Sequence, residues 1–67
     1  MWNSIQVRWV IVNHYKTEPH EVVYGEKFIN EDDAERKMRQ LVRDLDVDDK
    51  GFRYATVERR VYANLVD

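Results

Sequence analysis

Two histidines and two glutamates crowd one short stretch of the chain, where together they could ligate a metal ion. His14, Glu18, His20 and Glu21 lie close in sequence, and zinc accepts both imidazole and carboxylate ligands. The residues between 16 and 20 form a polar cluster around the only proline, which is typical of an exposed hairpin connection. Histidines and acids are ordinary in such turns. We interpret the cluster as a turn and expect no metal there.

An acidic run between residues 44 and 51 could suggest a calcium loop. With Asp46 as the first ligand, Gly51 falls at the sixth position of such a loop, as required. Lys50 then stands at the fifth position, and Val57 at the twelfth, where a bidentate glutamate is needed. The run is therefore interpreted as a polar turn between a helix and a strand.

Catalytic chemistry has little support in the residue types of the chain. Ser4 is the only serine and has no glycine-flanked elbow, no cysteine exists, and no glycine-rich phosphate loop occurs. A chain of 67 residues is also too thin for a substrate pocket of several hundred cubic ångströms. We expect neither enzymatic activity nor a cofactor.

Aromatic and basic residues near the end of the chain could stack and neutralise a single-stranded nucleic acid, as small sheet-based RNA binders do. No glycine-aromatic motif of the RNA-recognition type accompanies them, and the net charge of −2 opposes phosphate-driven affinity. Nucleic-acid or nucleotide binding is therefore kept as the alternative function. The residues are Tyr54, Arg59, Arg60 and Tyr62.

One stretch, Asn30 to Leu45, reads clearly as a helix against which the remaining elements must pack. Its apolar residues recur at helical spacing and form one stripe, while the opposite face is charged. Asn30 is in position to cap the first turn, with Asp33 in the capping-box position. The stripe consists of Ala34, Met38, Leu41, Val42 and Leu45.

The charged face of this helix is a candidate contact surface for a partner. Glu31, Asp32 and Glu35 could imitate a phosphate array, but interleaved bases spoil a clean imitation. Arg36 and Arg39 each follow an acid by four residues and are expected to pair with Asp32 and Glu35. The favoured interpretation is a salt-bridged helix whose first turn matches the helix dipole.

The other segments alternate as strands do. Ile5, Val7, Trp9 and Ile11 share one parity, and two valines make the middle of the other parity apolar, which is typical of a central strand. A second strand is expected over residues 21 to 29, with Gly25 at a bulge, and a third from residue 52 to about 61. In the third strand, the odd positions are expected to face inward: Ala55, Val57, Val61, Ala63 and Leu65. A break near Arg59 and Arg60 stays open, and the tail from residue 62 to 67 is either an extension of the strand or a separate segment that contacts a partner.

A β-β-α-β order predicts an α+β fold in a single domain spanning residues 1 to 67. The hairpin pairs the first two strands antiparallel, and a right-handed crossover places the third strand on the far side of the first. We therefore expect a three-stranded sheet of order 2-1-3 with one helix packed on one face. One helix cannot cover both faces of the sheet, so the open face is where a partner should bind.

The open face is expected to present an apolar patch with basic and aromatic neighbours. Val10 and Val12 would lie side by side there. Their expected neighbours on this face are Arg8, either Arg53 or Tyr54, Thr56 and Tyr62. Contiguous exposed apolar residues on a small protein usually mark an interaction site. The predicted occupant is another protein, and two such faces or two edge strands could also pair in a homodimer.

The composition of the chain bears on the cellular compartment in which the protein is expected. Without cysteine it has neither disulfides nor thiolate metal sites, which fits a reducing cytoplasm. Gln6 and Arg8 interrupt the apolar start, so neither a signal peptide nor a membrane span is expected. We predict a cytoplasmic protein that does not bind membranes.

The layout of Tyr24, Gly25 and Phe28, the stretch from Asn30 to Ala34, and a short final strand resembles compact proteins encoded by bacteriophages and mobile elements, among them anti-CRISPR inhibitors. The likeness is one of general layout and carries over no functional residue. It implies a stand-alone, non-enzymatic domain that occupies the surface of a host protein. A structural subunit of a larger assembly is a further alternative.

Overall fold

In a computed structural model that describes residues 2–44 and 51–65, the chain forms one antiparallel sheet and one helix. The elements are β1 (Trp2–Tyr15), β2 (Glu21–Phe28), α1 (Glu31–Asp44) and β3 (Phe52–Leu65). The strand order is β2-β1-β3, and β1 is antiparallel to both neighbours. The predicted α+β fold with strand order 2-1-3 is confirmed. The third strand runs without a break through Arg59 and Arg60, so the extended version of this strand is the observed one.

The pairing of β1 with β3 divides the side chains of the sheet into two sets. Ile11 lies opposite Val57, and Val12 lies opposite Thr56. Directly paired residues of an antiparallel sheet point to the same side, and neighbours along a strand point to opposite sides. We call the side that carries Ile11 and Val57 the odd face, and the side that carries Val12 and Thr56 the even face.

The helix lies on the odd face. The backbone N–H of Tyr15 donates to the carbonyl of His20, at 2.8 Å, so odd residues of β1 direct their backbone groups toward β2. In a right-handed crossover from β2 to β3, residues of β1 with that orientation place their side chains on the helix side. Met38 and Val42 of α1 accordingly share a cleft with Phe52 and Ala55 of β3. The helix packs on one face, as predicted.

The second strand is irregular at its centre. Val10 lies opposite Lys27 and Val12 lies opposite Val23. Two steps along β1 therefore correspond to four steps along β2, so β2 contains two more residues here than regular pairing allows. Gly25 lies within this irregular stretch, as the sequence predicted. The resulting bulge occurs in β2, and the backbone of β1 keeps its alternation past this point.

Four side chains have no exposed surface among the described residues: Val10, Ile11, Val12 and Ala34. Ile11 and Ala34 are buried where the helix meets the sheet. Val10 and Val12 belong to the uncovered even face, so their burial corrects the predicted exposed apolar patch. Lys27 and Glu58 flank Val10 in the two neighbouring strands, and the aliphatic stems of such long side chains cover small residues on a central strand.

The sheet is about twice as long as the helix that covers it. Fourteen residues of strand extend about 46 Å, whereas fourteen residues of helix span only about 21 Å. The longest dimension of the molecule is 47 Å. The pairing of β2 with β1 covers only Trp9 to His14, and α1 follows β2 after two residues. The two-stranded ribbon of residues 2–8 and 59–65, here called the arm, therefore projects beyond both β2 and α1.

The helix begins at the predicted cap residue, Asn30, but the Asn30 side chain makes a different contact from the one expected. The backbone N–H of Ala34 donates to the carbonyl of Asn30, at 3.2 Å, which places Asn30 at the cap. Its side-chain amide donates to the carboxylate of Asp33, at 3.3 Å.

The described part of the chain contains no helix that is long and apolar enough to cross a membrane.

Candidate protein-binding surface

The odd face of the arm carries an uncovered apolar patch. Ile5 lies opposite Ala63, and Val7 lies opposite Val61, so the four side chains form a two-by-two block. Ile5 is 65% exposed and Val61 is 55% exposed, Ala63 is exposed, and Val7 is half-buried. We call this block the arm patch. It is the contiguous apolar surface expected of an interaction site, but it lies on the opposite face from the predicted one.

Sequence reasoning missed the arm patch because it assigned every odd residue to the core. The periodicity of these residues is right, since Val61 and Ala63 do lie on the helix side of the sheet. Their predicted burial is wrong, because both are exposed: β2 ends opposite Trp9, and α1 begins two residues after β2, so neither element extends along the arm. The length of the two alternating segments was the available signal: each strand continues well past the reach of a four-turn helix.

The even face holds an ordered aromatic cluster around His14. The imidazole stacks on the ring of Tyr54, with centroids 4.4 Å apart and an interplanar angle of 19°. Its Nε2 forms a hydrogen bond with the hydroxyl of Thr56, at 3.0 Å, and its Nδ1 lies 3.6 Å from Glu21. The side chain of His14 is only 16% exposed. These contacts fix the imidazole as a structural member of the sheet.

The carboxylate, imidazole and hydroxyl of this cluster have the order of a catalytic triad, but their geometry does not fit one. A separation of 3.6 Å between Glu21 and His14 is longer than a hydrogen bond. The ring of Tyr54 occupies one side of the imidazole. Within the described residues, no group of three histidines or acids is positioned to hold a metal ion. His20, part of the metal cluster considered from the sequence, contacts the carbonyl of Tyr15 instead.

The remaining predicted contact residues of the even face, Arg8, Arg60 and Tyr62, each have a contact within the sheet. Lys27 places its ammonium 4.6 Å from the ring centroid of Tyr62, and Arg60 pairs with Glu58 at 3.4 Å. Arg8 lies opposite Arg60 and donates to the carbonyl of its neighbour Val7, at 2.8 Å. Tyr54 is 51% exposed. The even face is thus charged and aromatic, with its two central valines concealed.

Arg59 does not belong to this group. It lies opposite Trp9 and therefore on the odd face, whereas Tyr54, Arg60 and Tyr62 lie on the even face. Adjacent strand residues point to opposite sides, so Arg59 and Arg60 cannot serve one surface. The predicted four-residue nucleic-acid surface is corrected on this point.

The acidic start of the helix is exposed, and part of its charge is neutralised locally. Arg39 lies 3.6 Å from Glu35, as predicted, but Arg36 lies 3.8 Å from Asp33 in place of Asp32. Glu31 and Asp32 are exposed in the first turn, where the helix dipole favours negative charge. Their position has this structural explanation, and it remains a weaker contact candidate than the arm patch.

A shallow cleft of about 470 Å³ opens between the end of α1 and the start of β3, so the expectation that the chain is too thin for a cavity of several hundred cubic ångströms is wrong. Its apolar floor includes Met38, Val42 and Phe52, and arginines lie around it. The acidic turn considered as a calcium loop adjoins this cleft in sequence, and residues 45–50 lie outside the described part of the chain, as does Leu45 of the helical stripe. The cleft is therefore a secondary candidate beside the arm patch.

Comparison of the chain with family models, with curated proteins and with solved structures gives no match. The surface must therefore be judged by its own geometry.

Proposed function

We propose that this chain is a non-enzymatic protein-binding module whose partner contacts the arm patch. The observation that carries the proposal is the exposure of Ile5 and Val61 on an ordered, paired ribbon. Burying such residues against a partner removes apolar surface from water and contributes about 25 cal/mol per Å². The ribbon is already paired, so little conformational entropy is lost when it binds.

The partner would be a protein with an apolar strip bordered by acidic groups. Arg59 lies on the odd face beside the arm patch, and Arg8 and Arg60 line the reverse side of the same ribbon. Arginines at the rim of an apolar contact steer an acidic partner and fix its orientation. In the version drawn from the resemblance to phage-encoded inhibitors, this partner is a host protein whose working surface becomes blocked.

Two alternatives fit the surface less well. A nucleic acid would need free aromatic faces, whereas Lys27 already lies over Tyr62 and His14 over Tyr54. A purely structural subunit would bury the same arm patch permanently within its assembly. A binding module and a structural subunit differ in how readily the partner dissociates: a regulatory contact is reversible, and a structural contact is permanent.

A capture experiment with two matched variants tests the proposal. Val61→Lys places a charge on the arm patch, and Val23→Lys changes a valine of similar exposure, 45% against 55%, that lies outside the arm. Immobilised wild-type protein and the Val23 variant should retain the same partner from an extract, and the Val61 variant should lose it. Loss with Val23→Lys alone would place the contact on the even face and overturn the proposal.

A further inference from the structure

The cleft between α1 and β3 runs along a strand edge of the sheet. Its strand wall consists of four consecutive residues, from Phe52 to Ala55. Consecutive residues of a strand point to opposite faces, so a cleft that all four line opens at the edge of the strand. Within residues 2–44 and 51–65, β3 pairs with β1 alone, so this edge has no strand beside it. The cleft therefore combines a helix wall with an unpaired strand edge.

The backbone groups of Ala55 and Val57 face outward at this edge. The N–H of Tyr15 donates toward β2, so the preceding residue, His14, directs its backbone toward β3, where it lies opposite Tyr54. The pairing stays regular along β3 from this pair onward, so the outward and inward groups alternate. Among the described residues, no hydrogen bond reaches the outward-facing groups.

This part of the edge has little protection against an added strand. Proteins protect exposed strand edges with charged residues, bulges and prolines. The bulge of β3 and the charge of Arg53 lie just before the stretch 54–57, and three charged residues follow it, from 58 to 60. The stretch itself has neither a charged residue nor a bulge. An open stretch of this length is suited to a short extended peptide.

Positive charge surrounds the apolar floor of the cleft. Arg39 and Arg43 of α1 and Arg53 of β3 line it, and no acidic residue of the described chain does. Arg39 lies 3.6 Å from Glu35, whereas Arg43 and Arg53 have no ion-pair partner in the part of the chain that the structure describes. An apolar floor with a cationic rim is complementary to an apolar side chain that has carboxylates on both sides.

We infer that the cleft binds an extended peptide with an apolar residue between acidic residues, which adds as a strand to the edge of β3. Residues that pair across neighbouring strands point to the same face. The peptide residue opposite Ala55 therefore points to the odd face, where Met38 and Val42 of α1 line the cleft. The peptide residues two positions before and after it point to the same side, toward the arginines. Main-chain hydrogen bonds supply affinity, and the cleft selects the side chains.

The peptide site does not depend on the arm patch. The arm consists of residues 2–8 and 59–65, whereas the cleft lies at the opposite end of β3. A partner on the arm patch leaves the cleft open. Peptide binding and partner binding are therefore tested by different variants, and either can fail without the other.

Peptide binding with a backbone-blocked control tests the inference. Fluorescein-labelled DETLTED, DETFTED and DETVTED each place one apolar residue between two glutamates on the same side of an extended chain. Wild-type protein should raise the fluorescence polarisation of at least one of them. N-methylation of the central residue removes the main-chain donor to Ala55 and should raise the dissociation constant by roughly tenfold. No binding of any of the three, or equal binding of the methylated peptide, would overturn the inference.

Two arginine variants with the same change in net charge locate the peptide. Arg53→Gln removes a cleft arginine and should raise the dissociation constant by roughly three- to fivefold. Arg36→Gln changes a side chain that is 77% exposed and does not line the cleft, so it should leave the constant unchanged. Equal effects of the two variants would mean that the peptide responds to net charge alone, and the proposed site would be wrong.

Hydrogen exchange followed by NMR identifies the edge. Bound peptide should slow the exchange of the Ala55 and Val57 amides. The amides of Tyr54 and Thr56 already face β1, so their exchange should change less. Slower exchange along residues 2–8 in place of Ala55 and Val57 would put the peptide on the edge of β1 and overturn the inference.

A variant without the neighbouring acids tests the competing occupant of the arginines. Asp46, Asp48 and Asp49 follow α1 in the sequence, outside the described residues. Replacing all three by asparagine should strengthen peptide binding by less than about fivefold if they act only as nearby charges. Binding by this variant without any binding by wild-type protein would assign the arginines to the chain's own acids, and the inference would be wrong.

Discussion

Val7 and Val61 are direct partners across β1 and β3, yet Val61 keeps 55% of its surface exposed. Four residues further along the same strand, Ile11 and Val57 form an equivalent pair in which Ile11 has no exposed surface. The two pairs share one face and one chemistry. They differ in whether α1 and β2 reach them, and this difference separates the core of the molecule from its candidate binding surface.

The difference in burial predicts different costs for the same substitution in one strand. Ile11→Ala should lower the free energy of unfolding by about 2–5 kcal/mol, because it leaves a cavity in a closed site. Ile5→Ala should lower it by less than about 1 kcal/mol, since Ile5 is 65% exposed. Urea denaturation at low protein concentration measures both values without a contribution from association. Equal costs for the two would contradict the described position of the helix.

The burial of Val12 on the uncovered face can be tested against its neighbour. Val12 has no exposed surface, and its direct partner Val23 is 45% exposed. Val12→Thr should cost about 1–3 kcal/mol, because it buries a hydroxyl without an assigned partner. Val23→Thr should be nearly neutral, because its hydroxyl meets water. Thermal or urea unfolding distinguishes the two, and a neutral Val12→Thr would restore the exposed patch expected from the sequence.

The stacked pair of His14 and Tyr54 should contribute to stability as a unit. Replacing each by alanine, singly and together, forms a double-mutant cycle whose coupling free energy should be about 0.5–1.5 kcal/mol. The same cycle between His20 and Tyr54, which share no described contact, supplies the control. A coupling near zero for His14 and Tyr54 would mean that the stacking makes no energetic contribution.

Nucleic-acid binding should be undetectable even at low salt. The net charge is −2, Arg59 lies on the other face from Arg60, and Lys27 already lies over Tyr62. Titration with a single-stranded oligonucleotide, followed by tryptophan fluorescence at two salt concentrations, should give no signal at either. A signal that falls steeply with added salt would indicate phosphate contacts and favour the alternative function.

Local patterns in the chain were sufficient for the elements and their order. The apolar stripe with Asn30 before it predicts α1, alternation predicts the strands, and the handedness of the crossover selects the order β2-β1-β3. Even the irregularity at Gly25 is visible, because glycine interrupts an alternating segment. These features depend on neighbours in sequence or on one chiral rule, and so a sequence can specify them.

What only the tertiary structure decided is which residues of each face are covered. Alternation assigns Val61 to the odd face and Val12 to the even face, but exposure depends on the reach of other elements. Val61 is exposed because a helix rises about 1.5 Å per residue and a strand more than twice as much, so α1 is too short to cover the arm as well as the rest of the sheet. Val12 is buried because it lies on the central strand, between two neighbours. Periodicity names a face, whereas burial is a property of the assembled molecule.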